Sequence, residues 1–521
     1  MDIWGVLFLA LLLSALVIGG LAVLAPRIGL TDKPGGHKRH GAPVPLAGGS
    51  GIYAVVVVVL LVTFALYPEQ HNLILSLLLA STVLFAVGLV DDIRPLGVRV
   101  RFGTQGLAGL LTALWGGLML KQVGALFSSD VIMLGALSLP ITLFATAGVI
   151  NALNMVDGID GLSGSLSVIS LSMLAVIASR YPDAEVYLLL TLALIGAVGG
   201  FLLFNLRCFG RHKAAVFMGD AGSTLLGFLF ACLFIGLSQE PMHVMSPVIA
   251  LWLFVVPLFD TIATMLRRVW LGKSPFRADR SHMHHLLLDA GFTVPQSVLM
   301  LAGLQLAMGL VGLAAWYYSL PDVLMFAAFV GLFGVYFYLT SRPWRLVPAL
   351  RALHRSLDLP LTGVTEVFIG DLPKGDAEHA LRRLLGNQVG CCDYRLYAYD
   401  NGVTGRRTVY AVAPAGHPKD AVRMIRDIKA RVGEGEEIIV RQFVPRDARN
   451  DRRNDAHQVS RDQRRIERRG GRQRRLDQRG PPLGSPVLVS ENPELQSNTE
   501  SLSAALVADE APVDARKTLS G

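Results

Sequence analysis

Up to about residue 340 the chain is a succession of apolar runs, each close to the length that spans a bilayer. A helix crossing the hydrocarbon needs roughly 20 mostly apolar residues, because lipid offers no partner to an unsatisfied backbone group. About eleven stretches qualify: 3–25, 48–67, 72–90, 104–121, 131–152, 162–179, 186–206, 222–238, 246–266, 298–318 and 322–340. Their breaks fall at Pro, Gly or charge. The sequence therefore predicts an all-α polytopic membrane protein over residues 1–345. The bulk composition, 52% hydrophobic with a mean hydropathy of +0.47, is the average of this part and a polar remainder.

Charge placement orients the spans. Loops 26–47, 91–103, 207–221 and 267–297 are rich in Lys and Arg, among them Arg27, Lys38, Arg39, Arg94, Arg211, Lys273 and Arg280. The opposite set offers only Lys121 and Arg180. The positive-inside rule puts the basic loops in the cytoplasm. The first apolar run has Asp2 before it and Arg27 after it, which suits an uncleaved span with its N-terminus outside. An odd number of spans then leaves the C-terminus in the cytoplasm. Cys208, Cys232, Cys391 and Cys392 make neither a disulfide framework nor a zinc set.

Beyond the spans, residues 362–445 alternate strand and helix patterns. VFIGDL, YRLYAYD, RTVYAVAPA and EIIVRQF read as strands, and 376–387 and 418–432 as helices. That order, β-α-β-β-α-β, predicts a small ferredoxin-like α+β domain, a fold that names no function. Residues 446–521 read as a disordered tail, Arg-rich at first, with little to bury. Its basic arm suits anionic lipid, RNA or a protein partner, or is a solvated linker.

The polar clusters all lie on the cytoplasmic side. They are VGLVDDIRPLG with Asp91 and Asp92, NALNMVDGIDGL with Asn151, Asn154, Asp157 and Asp160, VFMGDAGS with Asp220, and DRSHMHH with Arg280, His282, His284 and His285. The first cytoplasmic loop adds Lys38, Arg39 and His40. Asp160 and Asp220 precede apolar helices and fit simple N-caps as well as ligands. Asp91 and Asp92 close a helix, where the macrodipole disfavours negative charge. The histidines fit an interfacial patch or a zinc site as well as a substrate site. Together, carboxylates and basic groups on one membrane face suit Mg²⁺, with Mn²⁺ as the alternative, carrying a phosphate substrate. A phosphate whose lipid chain stays in the bilayer would meet a soluble nucleotide sugar at that depth.

These motifs, with IGLTDKPGGHKRHGAPVPLAGG and ADRSHMHHLLLDAGF, resemble the polyprenyl-phosphate N-acetylhexosamine-1-phosphate transferases (glycosyltransferase 4 family) over roughly residues 1–340. Within that family the resemblance is to the bacterial undecaprenyl-phosphate N-acetylglucosamine-1-phosphate transferases, since HMHH differs from the histidine motif of the phospho-MurNAc-pentapeptide branch. The resemblance implies an inner-membrane, Mg²⁺-dependent enzyme. It would move GlcNAc 1-phosphate from UDP-GlcNAc to undecaprenyl phosphate and start O-antigen or related polysaccharide synthesis. It implies Asp91 and Asp92 as catalytic, Asp220 and Asp157 as metal ligands, and Asn151, Asn154, Asp160, Lys38, Arg39, His40, Arg280, His282, His284 and His285 as substrate-binding. GalNAc, FucNAc or QuiNAc donors remain alternatives, and a homodimer stays open. The tail beyond about residue 345 departs from the family pattern.

Two rival readings fit parts of the chain. A transporter of lipid-linked sugar would use intramembrane polar groups such as Asn205 and Asp260, and would show repeat symmetry. A membrane scaffold for the tail domain would leave the aspartates without a purpose.

Overall fold

In the computed structural model, the described residues are 3–32, 43–207, 211, 213–272, 274, 282–357, 366–372, 383–384, 395–401, 406–414, 418–432, 439–442 and 487–490. They fall into two units, Met1–Leu357 and Asp358–Gly521.

The first unit is a multi-pass helical bundle. Its helices are α1 (Ile3–Ile28), α2 (Gly48–Leu66), α3 (His71–Ile93), α4 (Val98–Leu114), α5 (Ser138–Val156), α6 (Leu162–Ala178) and α7 (Glu185–Asn205). There follow α8 (Gly219–Ser238), α9 (Pro247–Leu253), α10 (Val255–Trp270), α11 (Met283–Ala290), α12 (Val294–Tyr317), α13 (Asp322–Thr340) and α14 (Pro343–Ser356). Among the described residues, eight helices are long and apolar enough to cross a membrane, or nine if the bent pair α9–α10 is one span. Nine of the eleven expected stretches pass that measure, with α9–α10 taken as one. The other two stretches form α4 and α6, of 17 residues each. At 1.5 Å per residue such a helix is about 26 Å long, short of the ~30 Å hydrocarbon.

Burial ranks the helices. The apolar window of α8 is 94% buried, against 22% for α1 and 17% for α13. A helix that is apolar all round and packed on all sides is a core element, and α8 packs against α2, α3 and α5. The outer faces of α1 and α13 carry exposed Trp4, Phe8, Leu324 and Val335, the surface a bilayer would cover. Contact between α3 and α8 is close because of Gly88, where a Cβ would stand 2.5 Å from Ala221 Cα. That approach brings the end of α3 to the start of α8. The break in α9–α10 turns the chain by 86° and frees backbone groups inside the bundle. Gln305 of α12 takes them up: its Oε1 accepts from Val256 N–H at 3.0 Å and its Nε2 donates to the Leu253 carbonyl at 2.6 Å. Such side-chain repair is how buried helix breaks are tolerated.

Two short strands, β1 (Thr31–Asp32) and β2 (Val44–Pro45), pair as a stem. Phe217 N–H donates to the Pro45 carbonyl at 2.9 Å, so the stem sits beside the start of α8.

In the second unit, β3 (Glu366–Leu372), β4 (Arg395–Asn401), β5 (Arg406–Pro414) and β6 (Ile439–Gln442) form an antiparallel sheet in the order β6-β3-β5-β4. Helix Pro418–Arg431 packs on β3 and β6 with Met424 and Ile428 buried. The helix expected over 376–387 lies outside the described residues except for 383–384. A fifth strand, β7 (Val487–Ser490), pairs with β4 inside the stretch read as disordered. Its Val-Leu-Val run has the β-branched character that suits an edge strand. The rest of 446–521 lies outside the described residues.

Candidate active site

Three helix ends converge. Asp92, in the last turn of α3, takes the backbone N–H of Asp220 on Oδ1 at 2.7 Å and that of Ala221 on Oδ2 at 3.2 Å. It thus caps α8 from another helix, satisfying two donors the first turn leaves open. Asn154 of α5 donates from Nδ2 to Asp220 Oδ1 at 2.7 Å and to Ser223 Oγ at 2.9 Å. The carboxyl of Asp91 lies against that of Asp220. Asp91 is held from its other side: Leu96 N–H donates to Oδ1 at 2.6 Å, and Arg101 Nε lies 2.9 Å from Oδ2.

The loop between α5 and α6 joins this centre. Asp157 accepts the Ser163 hydroxyl at 2.5 Å. Burial pushes its carboxyl up to about 6 against the pull of that hydroxyl, and the negative charges of Asp220 and Asp160 raise it further. Asp160 is committed to the scaffold, accepting from Arg207 Nε at 2.7 Å and Ala214 N–H at 3.1 Å. Asn205 pins the loop between two strands of chain, accepting from Gly161 N–H at 2.6 Å and donating to the Val216 carbonyl at 2.8 Å. Asn151 turns away, its Nδ2 donating to Gln105 Oε1 at 2.9 Å and the Ala147 carbonyl at 2.7 Å.

The histidine motif reaches the same loop. His284 is 2% exposed, and its Nε2 has no hydrogen-bond partner among the described residues. A Cβ on Gly158 would stand 2.5 Å from that nitrogen, so only glycine leaves room for the ring. Burial, with His285 as the next cause, lowers the His284 pKa to about 3. The ring is neutral near pH 7, so it offers a hydrogen bond and no positive charge. His285 lies beside it, ring centroids 4.3 Å apart. His282 is turned inward, Nδ1 lying 2.8 Å from Asp260 Oδ2. Lys38, Arg39, His40 and Arg280 lie outside the described residues.

Two to four side chains per motif, from helices far apart in sequence, thus meet at one end of the bundle. Residues 74–238 match the family described as glycosyl transferase family 4. The chain is 35% identical over 339 residues to the undecaprenyl-phosphate alpha-N-acetylglucosaminyl 1-phosphate transferase of Escherichia coli (strain K12), covering 64% of this chain and 90% of that one. It is 38% identical over 338 residues to the protein of that name from Yersinia pestis, with the same coverage. Against the one from Haemophilus influenzae it is 36% identical over 351 residues, 67% of this chain and 96% of the relative. The chain belongs to glycosyl transferase family 4. About a third of this transferase has no counterpart in those relatives, which fits a second unit added to a shared membrane unit.

The transferase has no group of three or more His, Cys, Asp or Glu side chains placed to hold a metal by themselves among its described residues. Mg²⁺ asks for less: it keeps several waters and takes one or two carboxylates, substrate phosphates completing the shell. Asp91 and Asp220, two neighbouring carboxyls, fit that demand, and a cation there would offset their repulsion. Sequence reasoning missed Arg101 beside Asp91, Ser163 donating to Asp157, Ser223 accepting from Asn154, and Tyr336, whose hydroxyl donates to Asp260. Only Arg101 carried a signal, as a charge at the membrane edge.

Proposed function

We propose that the protein transfers GlcNAc 1-phosphate from UDP-GlcNAc to undecaprenyl phosphate at the cytoplasmic face of the inner membrane, with Mg²⁺, and so starts an envelope polysaccharide such as O-antigen. The observation that carries this reading is the meeting of Asp91, Asp157, Asp220 and Asn154 at one end of an apolar bundle, with the His284 nitrogen aimed at the same loop. In the reaction, an oxygen of undecaprenyl phosphate forms a bond to the β-phosphorus of the donor. The bond from that phosphorus to the bridging oxygen breaks, and UMP leaves with the electron pair. Asp91 and Asp220 would hold Mg²⁺, which when bound would supply charge neutralisation for the diphosphate. Asn154 holds Asp220 in place, and Asp92 fixes the start of α8 by accepting from the Asp220 and Ala221 N–H groups. The His284 ring offers its hydrogen bond to the diphosphate or sugar. The prenyl phosphate is largely ionised at neutral pH, so alignment and charge stabilisation outweigh base catalysis. Asp91, already paired with Arg101 and Leu96 N–H, is a poor nucleophile, which supports a single displacement.

The test is incubation of purified protein with undecaprenyl phosphate, Mg²⁺ and a panel of UDP-sugars, identifying both products. UMP with GlcNAc-diphospholipid, lost on chelation, is the expected result. UMP from another UDP-N-acetylhexosamine keeps the reaction and changes the donor. Release of UDP would mean transfer of a bare sugar and end the reading.

A further inference from the structure

Helix α11 has eight residues, too short to hold its place by propensity, yet it carries His284 against the α5–α6 loop. A carboxylate from inside the bundle fixes it. Asp260 of α10 is 4% exposed. Its Oδ1 accepts from Met283 N–H at 2.8 Å and from the Tyr336 hydroxyl at 2.9 Å. Its Oδ2 lies 2.8 Å from His282 Nδ1. On the far side of that ring, Nε2 faces an Arg268 guanidinium nitrogen at 3.5 Å. An ionised carboxylate only accepts and a guanidinium only donates. Both neighbours therefore ask for the same neutral tautomer, with the proton on Nδ1 and the lone pair on Nε2.

We propose that Asp260 is the positioning residue of the histidine motif. Acting through His282 and the first N–H of α11, it sets where His284 aims and so controls binding of the donor diphosphate. The proposal rests on the phosphotransfer reading above. A neutral amide cannot replace the carboxylate. Asn at 260 presents one accepting atom and one donating atom to three donors. With its oxygen on Met283 N–H, its NH₂ meets His282 Nδ1, which must give up its proton to Nε2 and turn an N–H on Arg268. The register of α11 then shifts, and with it the His284 nitrogen over Gly158. A purely stabilising cluster would lose melting temperature on mutation without moving the donor KM.

The test uses the full chain in lipid nanodiscs with ¹⁵N-labelled histidine. In the wild type, the His282 resonances should report the Nδ1–H form. Asp260→Asn should switch them to Nε2–H and raise the donor KM roughly tenfold, with kcat and the lipid-acceptor KM within about threefold. Asp260→Glu should recover part of the KM. Tyr336→Phe keeps the carboxylate and the tautomer and should raise the donor KM about threefold. A folded Asp260→Asn protein with the wild-type tautomer and donor KM overturns the proposal. If that variant does not fold, an unchanged donor KM in Tyr336→Phe overturns it. If the wild type transfers from no donor, the phosphotransfer reading fails by itself, and the tautomer in wild type and Asp260→Asn decides whether the clamp exists.

Discussion

Asp220 and Asp91 share a boundary while each is tied to neutral or basic partners, an arrangement that holds two negative charges ready for a cation. Asp220→Asn and Asp91→Asn should each lower turnover roughly 100-fold or more while the melting temperature stays near the wild-type value. Near-normal turnover in either folded variant would remove that residue from the reaction. Asp157 and His284 make opposite linkage predictions. The Asp157 carboxyl titrates near 6 in the fold against an ordinary 3.8. The native state therefore binds more protons across that window, and stability is lost as pH rises through it. Asp157→Asn should thus raise the stability of the metal-free protein at pH 7.5 by about 1–3 kcal/mol while impairing transfer. Thermal unfolding in chelator tests this, and a lowered melting temperature would contradict it. His284 titrates near 3 against an ordinary 6.5, so the unfolded state binds the extra proton. Its contribution is present above pH 6.5 and falls away as pH drops. His284→Gln should lose less melting temperature than the wild type between pH 7 and 5. Of these residues, the acidic and amide positions were legible because carboxylates beside a bilayer have few structural excuses. Which of them face substrate was not. Asp92 and Asp160 have their oxygens on backbone and arginine donors, partners set by tertiary contact and invisible in spacing.

At the scale of elements, the site depends on how near two helix ends can come. Gly88 lets α3 touch α8 at Ala221, one turn before Asp91. Gly88→Val should push the helices apart, since the nearest atoms are backbone and cannot give way. The expected cost is about 1–3 kcal/mol, with a larger loss of activity than of stability because Asp92 no longer reaches the first N–H groups of α8. Comparing turnover with thermal unfolding in the same preparation checks this, and a variant with normal turnover would show that the α3–α8 spacing is not critical. The apolar runs announced α3 and α8, as they did the other long helices, because periodicity and length are local. The bend between α9 and α10 was not announced: residues 246–266 read as one span. Its break sits at Phe254, where Pro257 has no N–H to give the Leu253 carbonyl, and it is made tolerable by Gln305 from a helix fifty residues on. In the same way the short lengths of α4 and α6 follow from where the neighbouring chain turns, not from composition.

For the whole molecule, the question is what the second unit contributes. The relatives reach 90% or more of their own length while covering about two thirds of this chain. Every residue placed at the centre belongs to Met1–Leu357, a unit with its own packed core. A chain ending at Leu357 should therefore insert, fold and transfer sugar phosphate at a rate within about threefold of the full protein. The measurement is transfer by purified truncated and full-length protein in the same nanodiscs, at matched concentration. Loss of activity with an unchanged melting temperature would make the second unit part of the working enzyme. Loss of both would make it part of the fold. Retention would assign the strands, their basic linker and the edge strand β7 to a role outside the reaction, such as binding lipid or a protein partner. His354 of α14, buried at the edge of the Phe292 ring between α11 and α12, lies just before the cut, so α14 must be kept whole for the comparison to be fair.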